Sequence, residues 1–181
     1  MMRKLFLFAG HGGKDPGATS GKYVESQLAI ELRDLIIAEL KKLNISASTD
    51  ANENYLALTL RWLRGKIGEK DVLIDIHWNA SADPKANGTE VIVPEYATGY
   101  ETSFGFAITR AMAEIGFRNR GVKPETQTAR KKLAIMSVNA ENILIEVCFI
   151  SNASDMLLYE KSKHIIAKRL AYVIREHLYK Q

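Results

Sequence analysis

A single cysteine, Cys148, stands in 181 residues, so no internal disulfide can form and stability must come from a core that a chain this long can build. No apolar run approaches the roughly 20 residues of a membrane-spanning helix, which argues against membrane insertion. The stretch Met1-Met2-Arg3-Lys4-Leu5-Phe6-Leu7-Phe8 has a basic tip but too few apolar residues before Gly10 for a secretory core. It reads as a first buried strand, and cytoplasmic synthesis without a leader is the expectation. Strong charge of either sign is also missing. The 25 basic and 21 acidic residues leave +4, too mild to imply nucleic acid, while an anionic polymer stays open as a partner. Linkers, repeats and low-complexity tracts are absent. With 46% hydrophobic and 25% charged residues, the chain reads as one ordinary globular domain over 1–181.

Strand and helix patterns alternate along it. Leu5 to Phe8, Asp71 to Ile76 and Ile143 to Phe149 are apolar runs of the kind buried on both faces of a sheet, and Gly88 to Val93 is a β-branched one. Helical spacing of apolar residues covers Val24 to Leu43, Tyr55 to Ile67, Ser103 to Ile115 and Lys163 to Leu178, with Gly116 placed as a C-cap. This alternation predicts an α/β domain with a mainly parallel sheet covered by helices on both faces. Residues 117–142 break the rhythm with weak periodicity and six cations, and are expected to form a long basic loop, either a solvated excursion or a substrate lid.

Two of the four histidines, His11 and His77, directly follow apolar strands. Active sites of open α/β sheets gather outside such strand ends, and neutral imidazole is the commonest metal ligand. A hydrogen-bonded histidine is the plainer alternative for each. Glu25 lies within about 20° of Leu32, Ile36 and Leu43 round its helix, in the middle of the apolar stripe. A carboxylate buried there needs a strong partner, although the helix dipole alone favours an acid in the first turn. Two histidines and a glutamate leave one position open, the pattern of a catalytic zinc site. Glu146 interrupts an apolar strand, so it is either a buried ion-pair partner for a nearby cation or a general base beside a metal. The turn Gly10-His11-Gly12-Gly13 matches neither phosphate-binding fingerprint, and its glycines are read as allowing a sharp turn and close backbone approach. His164 and His177, about 140° apart on one helix, cannot share an ion, and Cys148 reads as an inert thiol.

Four blocks in order, His11 to Ala18, Glu25, Ile76 to Ala80 and Ile145 to Asn152, resemble the zinc-dependent N-acetylmuramoyl-L-alanine amidases of the amidase_3 type. The resemblance runs through nearly the whole chain, including Arg120-Gly121-Val122-Lys123. It implies a twisted mixed sheet flanked by helices, one zinc per chain held by His11, Glu25 and His77, and Glu146 as the catalytic glutamate. The implied reaction is hydrolysis of the amide between the lactyl group of muramic acid and L-alanine in the peptidoglycan stem. Asn79 and Lys123 are the candidates for substrate contact, Lys123 toward stem-peptide carboxylates. Cys148 stands where the family usually has glycine and Ser137 where arginine is frequent; neither is a ligand position. A monomeric phage-type lysin without a separate wall-binding domain, reaching the wall through another protein's membrane lesion, is the expected setting. A cytoplasmic turnover enzyme is the alternative setting. A zinc carboxypeptidase acting within the stem and a non-catalytic wall-binding module are the alternative functions.

Overall fold

Alternation of strand and helix periods resolves, in the computed structural model of residues 3–179, into eight strands and four α-helices. Met1 and Met2 of the N-terminal tip lie outside the described residues. In chain order the elements are β1 (Leu5–Ala9), a hairpin of β2 (Thr19–Ser20) and β3 (Tyr23–Val24), α1 (Glu25–Lys42), β4 (Ala47–Ser48), α2 (Leu56–Leu63), β5 (Val72–Asn79), β6 (Thr89–Val93), α3 (Gly99–Ile115), β7 (Asn119–Pro124), β8 (Glu141–Phe149) and α4 (Ala153–Leu178). The main sheet has the order β4-β1-β5-β8-β6-β7. All its neighbours run parallel except β8 and β6, so it is the mixed, mainly parallel sheet of an α/β domain.

Helix boundaries move from the sequence reading where local capping decides them. α3 starts at Gly99 because Thr98 and Glu101 form a reciprocal capping box. α4 starts at Ala153 because the Asn152 side chain accepts the free N–H groups of Ser154 and Asp155. The larger difference is in 117–142, expected as one loop. It contains β7 and two 3₁₀ turns, Glu125–Gln127 and Ala134–Ser137. Gly121 and Pro124 hide β7 from a pattern search, and an edge strand tolerates such residues because only one side must pair.

Period-2 alternation sends Leu5, Leu7, Val72, Ile74, Ile76, Ile143, Ile145 and Val147 to one face, where α1, α3 and α4 cover them. The opposite face carries Phe6, Phe8, Leu73, Ile92 and Leu144, packed by Leu60, Trp62 and Leu63 of α2 and by Ile135 and Met136 of the second 3₁₀ turn. Helices therefore lie on both faces, three against one. The thin side leaves room for a cavity.

In the thick layer Phe104 is fully buried and stacks on His177 of α4, with ring centroids 4.4 Å apart and 6° between planes. Phe104→Ala is expected to cost about 3–5 kcal/mol through lost transfer energy and a residual void. Urea unfolding should show a lowered midpoint at unchanged slope.

Candidate active site

The alternation that builds the thin side also aligns its polar residues. Leu73, Asp75, His77 and Asn79 of β5 share one face, as do Leu144 and Glu146 of β8 and Glu90 and Ile92 of β6. Register brings them side by side: His77 pairs with Glu146, Glu146 with Glu90, and Leu144 with Ile92. β5 extends through Asn79, so His77 lies inside the strand near its carboxyl end rather than after it. Beyond the apolar patch this polar row borders a cavity of about 590 Å³, whose lining includes His11, Glu25, His77, Asn79, Lys123 and Glu146.

Glu25 opens α1 and is 3% exposed. Its Oε1 accepts the Trp78 backbone N–H at 2.9 Å and lies 3.0 Å from His77 Nδ1 and 3.4 Å from His11 Nε2. Its Oε2 accepts the Ala18 N–H at 2.8 Å. The three side chains offer two imidazole nitrogens and one carboxylate oxygen within 4.8 Å of one another, a group able to hold a metal ion. Each histidine turns its other nitrogen to an aspartate: His11 Nδ1 lies 2.8 Å from Asp15 Oδ2, and His77 Nε2 lies 3.1 Å from Asp75 Oδ2. Such carboxylate partners fix ring orientation and raise ligand basicity. Burial alone would raise the Glu25 pKa, but the hydrogen bonds with both histidines hold it well below the usual carboxylate range. Burial likewise opposes charge on the rings, yet Asp75 and Glu25 raise His77 well above its ordinary value and Glu25 raises His11. The cluster as a whole favours positive charge at its centre.

The glycine-rich turn serves these side chains. A Cβ on Gly10 would stand 2.1 Å from His77 Nε2, and one on Gly17, at φ +67°, 2.6 Å from Glu25 Oε2.

Glu146 is half-buried, with Oε2 fully enclosed and without a hydrogen-bond partner. Burial pushes its pKa up to about 7, the His77 charge pulling it down and Glu25, Glu90 and Asp75 pushing it further up. The cation expected as its ion-pair partner is elsewhere. Arg120 Nε and Lys123 Nζ donate to Glu90 Oε2 at 2.7 and 2.5 Å, and Asn79 Nδ2 donates to Glu90 Oε1 at 2.7 Å. Both proposed substrate contacts, Asn79 and Lys123, thus line the cavity through one carboxylate. Sequence reasoning missed Glu90, Asp15 and Asp75. Glu90 and Asp75 each break an apolar strand as Glu146 does, which was the available signal; Asp15 sits four residues after His11 in a turn and gave none. Cys148 is fully buried against Met156, and burial raises its thiol pKa, as suits an inert core group. His164 is exposed and His177 is buried in the far layer.

A family model described as N-acetylmuramoyl-L-alanine amidase, Amidase_3, matches residues 5–176. Among curated proteins the chain is 28% identical to N-acetylmuramoyl-L-alanine amidase LytC of Bacillus subtilis over 164 residues, which is 83% of this chain and 30% of LytC. It is 24% identical to the endolysin of Bacillus phage SPP1 over 172 residues, 91% of this chain and 61% of that protein. Among solved structures, Cwp6 from Clostridium difficile superposes with a TM-score of 0.80 at 25% identity, covering 96% of this chain and 29% of Cwp6. The chain spans less than a third of LytC and of Cwp6. It belongs to the N-acetylmuramoyl-L-alanine amidase family.

The Glu146 environment fixes a sign for stability against pH. Its folded pKa, about 7, exceeds the ordinary 4.5, so its contribution is fully present below pH 4.5 and is lost as pH rises through 7. The loss is roughly 3 kcal/mol at most, at about 1.36 kcal/mol per unit. In chelator, Glu146→Gln should melt above the wild type by a margin that widens from about pH 5 to about pH 8. Parallel melting profiles would contradict this account of the buried carboxyl.

Proposed function

We propose that this member of the family is a zinc-dependent peptidoglycan hydrolase, cutting the amide between the lactyl group of muramic acid and L-alanine of the stem peptide. The observation that carries the reading is the unpaired Glu146 carboxyl, one strand from His77 and facing the same cavity as the three metal-competent side chains. His11, Glu25 and His77 would hold the ion. The donor set suits zinc, and the Asp15 and Asp75 contacts orient both imidazoles for it. When bound there, zinc would supply Lewis acidity toward water and a carbonyl oxygen.

Glu146 handles the protons. Its position near neutrality suits a group that accepts one from the attacking water and returns one to the departing amine. The carbonyl carbon gains the water oxygen, its bond to the alanine nitrogen breaks, and the nitrogen leaves as a neutral amine. Asn79 and Lys123 contribute substrate contacts from the cavity wall, which Gln127, Thr128 and Arg130 of the 117–142 segment extend. No helix among the described residues is long and apolar enough to cross a membrane, and we place the protein's work at the cell wall.

Each of His11→Ala, Glu25→Ala and His77→Ala should lower zinc content from one per chain, read by elemental analysis; full stoichiometry in all three would remove the ligand assignment. Digested peptidoglycan should show new L-alanine amino groups and intact glycan by mass spectrometry, whereas new reducing ends or amines further down the stem would mean a different bond. Glu146→Gln should keep fold and zinc while losing about 10²–10⁴-fold in single-turnover rate.

A further inference from the structure

We propose that Arg120 and Lys123, held in place by Glu90, form an anion subsite that selects stem peptides with a free carboxylate on the residue next to the leaving alanine over those with a carboxamide there. The proposal rests on the amidase reading above and names its substrate class. Glu90 is 6% exposed and receives both cations on one oxygen. Two cations on one carboxylate leave one net positive charge. The Arg120 and Lys123 side chains keep 25% and 30% exposure, and both border the cavity. Arg120 is also pinned by the Asn87 carbonyl at 3.3 Å and lies 4.9 Å from the Phe149 ring centre, so its charge has a fixed direction. A fixed guanidinium with a neighbouring ammonium is well matched to a carboxylate and offers a carboxamide less.

Spacing sets which carboxylate. Glu90 sits directly across from Glu146 on the adjacent strand, and neighbouring strands are about 4.8 Å apart. A peptide residue spans at most about 3.5 Å. Arg120 and Lys123 belong to β7 but reach back to Glu90 Oε2. The positive group therefore lies at least one strand spacing from Glu146, one to two residues along the stem from the bond beside it, and the carboxylate we assign to it is the α-carboxyl of the residue after alanine.

The test uses the zinc-loaded full chain and two synthetic compounds, N-acetylmuramoyl-L-alanyl-D-glutamate with its γ-carboxyl blocked as the methylamide, and the α-carboxamide of that compound, so that only the first carries a free carboxylate on the residue after alanine. Equilibrium binding and turnover are measured for both. The wild type should prefer the free carboxylate about tenfold, mainly in KM and Kd. Arg120→Gln and Lys123→Gln should each bring the ratio close to 1 with zinc content and melting temperature held. Glu90→Gln removes the anchor while adding net positive charge, so a falling ratio supports positioning by Glu90 and a rising one overturns it. A wild-type ratio near 1, or neutral variants that keep the wild-type ratio, overturns the subsite. Absence of cleavage with zinc bound would refute the amidase reading, and the binding ratio would still decide the subsite.

Discussion

A carboxylate buried at the first turn of a helix is the constraint on which the rest of this site depends. Left unpaired, Glu25 would cost several kcal/mol, and the dipole of α1 offsets only a part. Its partners come from separate stretches of chain: the Ala18 and Trp78 amides and the rings of His11 and His77. Satisfying one side chain therefore ties the loop after β1 and the end of β5 to the start of α1. The same contacts bring three donor atoms together, so the interaction that makes Glu25 tolerable also organises the centre. Glycine at positions 10 and 17 is the steric condition for this, since a methyl group at Gly10 would occupy the space of the His77 ring and one at Gly17 that of Glu25 and His11.

The second organising feature is the single antiparallel step in the sheet. It sets Glu90 opposite Glu146, and like charges directly across a strand pair repel. The conflict is resolved asymmetrically. Glu90 gains Arg120, Lys123 and Asn79 and its pKa falls below the ordinary carboxylate value, its burial outweighed by Lys123 first and then Arg120. Glu146 gains no donor on Oε2 and moves the other way. Two carboxyls one strand apart thus hold different protonation, the arrangement from which acid–base roles are built.

Much of this was legible in the sequence because burial and periodicity leave strong marks. The apolar runs of β1, β5 and β8 located the central strands, and Glu25 and Glu146 stood out as carboxylates in apolar company. Where a residue's neighbours are set by chain crossing rather than by period, the sequence is silent. Pairing of β6 antiparallel to β8 is one case; Asp15 and Asp75 behind the histidines are another. β7 was illegible because an edge strand needs no alternation, so its Gly121 and Pro124 read as loop. β2, β3 and β4 span two residues each, too short for any pattern.

The plainer alternative for Glu146, an ion pair with a cation of the 117–142 segment, is answered by where those cations lie. Arg118, Arg130, Lys131 and Lys132 are exposed, and Arg120 and Lys123 converge on Glu90 instead. Among the described residues no cation reaches Glu146 closely enough for a salt bridge, although that carboxyl lies only one strand from the pair on Glu90. A buried acid left without a partner beside two cations, and next to a histidine of the metal-competent group, has its environment set by the cavity it faces. The two carboxylates of the pair therefore divide the work: Glu90 fixes positive charge on the wall, and its fixed charge helps keep the proton on Glu146 into the neutral range.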